Sequence, residues 1–260
     1  MGEEVPRGAW GLKSLESELA RVAGVGMLLV VSDYDGTLAP IVDDPERAFP
    51  DKKALGALQD LGELPDTRAA IISGRSWGEL RRLSGSPPNV VLVGGHGAET
   101  GPAVGGEEVA GLVEVTAALE EIAAQFPGAN IERKPTGVAF HYRKVDPAGV
   151  DEALRMVTAG PGSDPRLHLR HGKMVVEISA SAVDKGVALV RIREECGAEA
   201  TVFLGDDLTD EDAFAVLGPE DVGIKVGPGA SKGSRRLADQ EQVGELLVNL
   251  LELRREQGRD

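Results

Sequence analysis

Cysteine is nearly absent from this chain: Cys196 is the single one in 260 residues. No intramolecular disulfide can form, which excludes a disulfide-stapled secreted scaffold, and the thiol reads as a small packing hydrophobe. Basic residues are also scarce, 28 Lys and Arg against 43 Asp and Glu, for a formal net charge of −15. Nucleic acid and anionic membranes both need a basic surface, so neither is expected as a partner. No stretch approaches the roughly 18 apolar residues of a membrane-spanning helix. Met1 to Leu12 lacks the basic flank and apolar run of a signal peptide, and Pro6 stands where a myristoylation signal takes Ser or Thr. A prenylation cysteine is missing from the C-terminus. The expectation is a cytoplasmic protein, read as a monomer.

What is present suffices for a sizeable core. Hydrophobic residues make up 42% and charged residues 27%, a globular rather than a disordered balance. The length exceeds one ordinary domain of about 100–200 residues and falls short of two, which fits one core with an inserted smaller module.

The chain is organised around residues 28–41, Leu-Leu-Val-Val-Ser-Asp-Tyr-Asp-Gly-Thr-Leu-Ala-Pro-Ile. The continuous apolar run Met27 to Val31 predicts a buried parallel strand that delivers Asp33 and Asp35 to its C-terminal end. Aspartates two apart on a regular strand point the same way, and Gly36 lets the chain leave the sheet sharply with its N–H groups exposed. Leu12, Leu15, Leu19 and Val22 predict a preceding helix, and Ala54, Leu55, Leu58 and Leu61 a following one. Strands are predicted at Arg68–Ile72, ending in Ser73-Gly74-Arg75 before a helix from Ser76 to Leu83, and at Val90–Val93, ending in Gly94-Gly95-His96-Gly97-Ala98-Glu99.

Residues 104–179 have a different rhythm. A 3.6-residue period runs from Glu107 to Phe126 and stops at Pro127-Gly128; strand-like runs follow at Asn130–Lys134 and Val138–Arg143. A helix from Pro147 through Val157 and runs at Arg166–Arg170 and Met174–Ile178 complete an α+β order. Alternating βα pattern resumes with a helix opened by Asp184-Lys185, a strand at Thr201–Leu204, the acidic loop Gly205 to Glu211, a helix at Asp212–Leu217, a strand at Val222–Val226 and a closing helix at Gln242–Arg255. The expected fold is α/β, a core of residues 1–103 and 180–260 with an inserted α+β cap at 104–179.

Six acidic residues, Asp33, Asp35, Asp206, Asp207, Asp210 and Glu211, fall at two strand ends. Carboxylates gathered together repel, and a hard divalent cation with oxygen ligands removes that cost, so Mg²⁺ is the expected cofactor. Asp33, the backbone carbonyl of Asp35, and Asp206 are its candidate ligands, with Asp207 and Asp210 orienting waters or Lys185. For Asp210 and Glu211 a solvated turn capping a helix at Thr209 is an equal alternative.

Asp33-Tyr34-Asp35-Gly36-Thr37-Leu38 resembles the nucleophile motif of the haloacid dehalogenase (HAD) superfamily, whose phosphatases form an aspartyl-phosphate. Ser73, Lys185 and Gly205-Asp206-Asp207 resemble its second, third and fourth motifs, in order. The resemblance implies a HAD-like Rossmannoid core. Asp33 would attack phosphorus, Asp35 would act as acid and then base, Ser73 would bond the phosphoryl group, and Lys185 would hold the anionic charges together.

Asp-x-Asp-Gly-Thr-Leu-x-Pro-Ile, Ser73-Gly74-Arg75, His96-Gly97-Ala98-Glu99 and Gly205-Asp206-Asp207-x-Thr209-Asp210-Glu211-x-x-Phe214 together are similar to trehalose-6-phosphate phosphatases over residues 28–250. That resemblance implies sugar contacts at Glu132, Lys134, Arg143, Lys173 and Glu177, and Gly74, Arg75 and His96 are added as substrate-binding candidates; His96 in its glycine-rich turn can equally be structural. Alternation along strands independently groups Glu132 with Lys134, and Lys173 with Glu177. The expected partner is a phosphorylated disaccharide, enclosed by a mobile cap that excludes water, with a trehalose-6-phosphate synthase as a candidate associate. Rival readings are a phosphatase for sucrose phosphate or mannosyl-phosphoglycerate, a phosphomutase, and a non-catalytic regulatory module; the last would be expected to lack Asp33, Asp35, Lys185 or Asp206.

Overall fold

A computed structural model describes residues 15–101, 111–134, 136–172 and 174–257. The chain divides into two compact units, Met1–Gly101 with Asp184–Asp260, and Pro102–Val183.

The first unit is a parallel sheet between helices. Its strands are β1 (Leu28–Ser32), β2 (Thr67–Ile72), β3 (Val90–Val93), and, beyond the inserted unit, β8 (Ala200–Gly205), β9 (Val222–Val226) and β10 (Arg235–Leu237). Their order is β10-β9-β8-β1-β2-β3, so β1 lies inside the sheet with β8 and β2 as neighbours. All five residues of β1 are buried. Leu28 and Val30 enter one apolar cluster with α1 (Glu16–Ala23), α2 (Lys52–Glu63) and α8 (Glu241–Gln257), while Leu29 and Val31 enter a second with α6 (Lys185–Cys196) and α7 (Asp210–Ala215). A strand buried on both faces needs apolar residues at consecutive positions, which is why this run has no polar alternation. Phe203 and Phe214 lock β8 to α7 edge to face, their centroids 5.3 Å apart.

The helix α3 (Trp77–Ser84) opens with a capping box in which the Ser76 hydroxyl and the Glu79 carboxylate satisfy each other's backbone N–H groups. The short edge strand β10 has no counterpart in the sequence reading. Three residues, two of them arginine, carry no strand signal of their own. Helix α7 begins at Asp210, two residues before the expected start, so that Asp210 lies in its first turn.

The second unit is an antiparallel sheet of β4 (Asn130–Lys134), β5 (Gly137–His141), β6 (His168–Gly172) and β7 (Val175–Ser179), in the order β4-β5-β7-β6. Val138, Phe140, Val176 and Ile178 pack against α4 (Leu112–Ala123) and α5 (Pro147–Ala159). The opposite pleat positions hold Glu132, Lys134, His141, Arg170 and Glu177, giving a sheet with one apolar and one charged face. The onset of the predicted helix at Glu107, Leu12 before α1, and Pro135 in the hairpin lie outside the described residues.

Candidate active site

The strands of a parallel sheet all end on one edge, and ligands bind where the strand order reverses. Here that point lies beside β1. The Asp33 N–H donates to the Leu204 carbonyl at 2.8 Å, which carries the β1–β8 ladder one residue past the strand and sets Asp33 next to Gly205-Asp206. The strand itself stops at Ser32, so a turn rather than pleating orients the two aspartates. That turn is closed by Gly36 N–H to Ala39 C=O at 2.7 Å and Ala39 N–H to Tyr34 C=O at 2.8 Å. Tyr34 points away into the core, where its hydroxyl donates to Ala48.

Asp33 and Asp35 consequently face different cations. Lys185 Nζ bridges Asp33 Oδ1 at 2.6 Å and Asp210 Oδ1 at 2.7 Å, all three side chains being buried. Arg75 grips Asp35 with two parallel bonds, Nε to Oδ2 at 2.7 Å and an Nη to Oδ1 at 2.6 Å. Arg75, expected on the substrate, is thus held in this structure by Asp35.

Two glycines make the crowding sterically feasible. Gly36 has φ +85°, and a Cβ there would lie 2.3 Å from an Asp206 carboxylate oxygen; a Cβ on Gly205 would lie 2.3 Å from the Asp210 carboxyl carbon. Oxygens of Asp33, Asp206 and Asp210 lie within 4.8 Å of one another. Burial, reinforced by Asp210 and Asp206, raises the Asp33 pKa against the opposing pull of Lys185. Burial and then Asp210 and Asp207 push Asp206 up to about 6. For Lys185, burial alone favours the neutral amine, but Asp210 and Asp33 reverse this and raise its pKa. Asp206 Oδ1 is buried and has no hydrogen-bond partner among the described residues.

Asp210 also accepts from the Asp207 N–H at 2.9 Å through Oδ2, so it shapes the acidic loop as well as holding Lys185. Asp207 accepts from Leu208 N–H at 2.7 Å, within its own turn. Glu211 accepts from Ser231 and from the Lys232 N–H, tying α7 to the loop after β9. Ser73 is buried and its Oγ accepts from Arg75 N–H at 3.1 Å, which leaves the hydroxyl proton to be donated elsewhere. His96 sits in a turn bonded to this loop, its N–H donating to Ser73 C=O at 2.9 Å, and its ring lies against Gly74, where a Cβ would come within 2.5 Å.

In the second unit, Lys134 pairs with Glu177 at 2.7 Å, and Glu132 with His141 at 2.7 Å. The hydrogen bond from His141 lowers the Glu132 pKa, with Lys134 adding to the effect. Arg143 is exposed in the turn after β5, and Lys173 lies outside the described residues. Sequence reasoning did not single out His141 as a partner for Glu132; the signal available was its place on the same charged face.

The family model for trehalose-phosphatase matches residues 31–242, most of the chain. The chain belongs to the trehalose-phosphatase family. Its relatives in this family include the trehalose-6-phosphate phosphatase of Escherichia coli K12, 35% identical over 238 residues that cover 87% of this chain and 89% of that one. A bifunctional trehalose-6-phosphate synthase/phosphatase of Thermoproteus tenax is 33% identical over 85% of this chain, which spans 32% of that protein. The solved C-terminal domain of Candida albicans trehalose-6-phosphate phosphatase superposes with a TM-score of 0.81 at 26% identity, covering 94% of this chain and 99% of the domain. This family membership carries with it the HAD-like sheet order described above. Among the described residues no helix is long and apolar enough to cross a membrane.

Proposed function

We propose that this chain is a cytoplasmic, Mg²⁺-dependent enzyme that hydrolyses trehalose 6-phosphate to trehalose and phosphate through an aspartyl-phosphate on Asp33. The observation that carries the reading is the meeting of buried Asp33 and Asp210, bridged by Lys185, with half-buried Asp206 at the ends of β1 and β8. Lys185 anchors the Asp33 carboxylate by one oxygen, which supports attack on phosphorus by the other. It also opposes the rise in pKa that burial imposes, favouring the ionised nucleophile.

The donor set is all oxygen, and Asp206 carries a buried oxygen, Oδ1, without a hydrogen-bond partner among the described residues, which suits a hard cation. Asp33, Asp206 and the Asp35 carbonyl would hold Mg²⁺. When bound, the ion neutralises charge on the phosphoryl oxygens. Ser73 would donate its hydroxyl proton to the same group. Asp35 would protonate the leaving sugar oxygen and later take a proton from water. For that it must leave Arg75, and a phosphate dianion offers the guanidinium a competing partner.

Trehalose 6-phosphate as substrate rests on the activities in the relatives' names and on the charged face of the second unit, where Glu132, Lys134 and Glu177 offer acceptors and a donor to sugar hydroxyls. A synthase as associate is supported by the bifunctional relative. Phosphate release from a panel of phosphorylated mono- and disaccharides, with Mg²⁺ and with chelator, tests the reading. Trehalose 6-phosphate is expected to be turned over best and only with metal. Asp33→Asn is expected to keep its circular dichroism spectrum and lose turnover by on the order of 10³-fold or more. Retained turnover in that variant would remove the nucleophile assignment, and preference for sucrose phosphate or mannosyl-phosphoglycerate would replace the substrate.

A further inference from the structure

Lys225 is a buried cation with no part in the chemistry above. In β9, Val222, Ile224 and Val226 enter the first apolar cluster, so Gly223 and Lys225 stand on the opposite side of the sheet. There Phe214 and Leu217 pack close to Gly223. At Gly223 that side belongs to the second apolar cluster, and two residues further on Lys225 lies at the strand end beside Gly205 and Asp206. The residue is a lysine only 5% exposed. Its positive charge acts on the Asp206 carboxylate, opposing the rise of that group's pKa.

A desolvated ammonium needs an acceptor to replace its water. Its acceptor is the backbone carbonyl of Asp206, to which Nζ donates a hydrogen bond. The register makes this contact natural: Lys225 lies opposite Gly205 across β8 and β9, and its side chain reaches one residue further. Arg236, beside Lys225 on β10, donates to the carbonyls of Gly227 and Gly229 and so serves the next loop.

We propose that Lys225 is a positioning residue for Asp206: by fixing the Asp206 carbonyl at the strand end, it aims the carboxylate of that residue, whose Oδ1 is buried and without a hydrogen-bond partner among the described residues, into the cluster with Asp33 and Asp210. A peptide plane held from outside restricts the backbone torsions at its own residue, and with them the direction of the Cα–Cβ bond. The inference rests on the metal-dependent reading above, and it has a sign that separates it from a plain charge effect. Deleting a positive charge near three carboxylates should by Coulomb's law tighten cation binding. Deleting a positioning contact should weaken it.

The test is Mg²⁺ titration by calorimetry on the full chain, without substrate, for the wild type, Lys225→Met and Lys225→Arg, beside steady-state turnover of trehalose 6-phosphate. Lys225→Met is expected to weaken Mg²⁺ binding about 10–100-fold. At saturating Mg²⁺ its kcat should fall with KM little changed, and Lys225→Arg, which keeps a charged donor, should recover most of the binding. Mg²⁺ binding in Lys225→Met that equals or exceeds the wild type overturns the proposal. Should that variant not fold, Lys225→Leu, which likewise has no donor, takes its place with the same two outcomes. Wild-type protein that neither binds Mg²⁺ nor releases phosphate would sink the proposed function itself. A competent wild type beside an equally competent Lys225→Met sinks only the role of Lys225.

Discussion

Lys185 and His141 each meet a carboxylate at nearly the same distance, 2.6 Å to Asp33 and 2.7 Å to Glu132, yet the two pairs are built differently. The Lys185 and Asp33 side chains are 3% and 6% exposed, and they are brought together from positions 152 apart in the chain. Those of His141 and Glu132 are 40% and 37% exposed and sit on paired strands of one hairpin. Distance alone therefore says little about what a pair contributes. In the first unit the surrounding sheet and helices hold the charges where water cannot replace a lost partner. Around His141 and Glu132 solvent can take over either half, which suits the exchange of contacts for sugar hydroxyls proposed for this face.

Breaking the buried side of this comparison should have the largest effect. Lys185→Met leaves Asp33 and Asp210 without their cation, and loss of one partner from a buried pair costs about 3–5 kcal/mol. Urea unfolding should show that loss together with abolished turnover. A midpoint unchanged from the wild type would mean the carboxylates simply take up protons at no cost.

Next comes the pH dependence of the metal-free protein. Asp206 in the fold titrates at about 6, above its unfolded value, so the stability linked to its protonated form is present at low pH and lost as pH rises through about 6. The linked change is at most roughly 3 kcal/mol, since one pKa unit corresponds to about 1.4 kcal/mol. Thermal melting with chelator should fall from about pH 4 to about pH 6.5, between the unfolded and folded pKa values, and Mg²⁺ should flatten the trend. A flat profile without metal would contradict the burial of this carboxylate.

The smallest effect is expected in the second unit. His141→Ala removes a partly exposed partner, worth no more than about 1 kcal/mol in stability. Turnover of an aryl phosphate should stay near that of the wild type while turnover of trehalose 6-phosphate falls severalfold. Equal losses on both substrates would dissolve the distinction between a fixed chemical unit and an adaptable recognition face.

Much of the fold was legible because buried strands write themselves as apolar runs. Val90–Val93 and Val222–Val226 have the bounds expected from the sequence, and helices between such runs follow the 3.6-residue period. Where burial is not apolar the signal fails. Nothing in the predicted strand Val222–Val226 marks Lys225 as buried, and Arg235-Arg236-Leu237 does not read as a strand, because composition cannot tell a solvated cation from one whose acceptors lie in another segment. The acidic loop is a middle case. Asp206, Asp207, Asp210 and Glu211 are visible as a cluster, but their tasks differ only by where neighbouring elements put a lysine, a serine or a backbone N–H.

By itself, then, the amino-acid order determined the element sequence, the inserted α+β segment and the set of charged residues at the strand ends, since these follow from local periodicity and turn chemistry. Which charges meet was decided only in three dimensions: Lys185 with Asp33 and Asp210, Arg75 with Asp35, Lys225 with the Asp206 carbonyl. A side chain's partner depends on strand order and helix placement, which join residues far apart in the chain, and no local pattern carries that information.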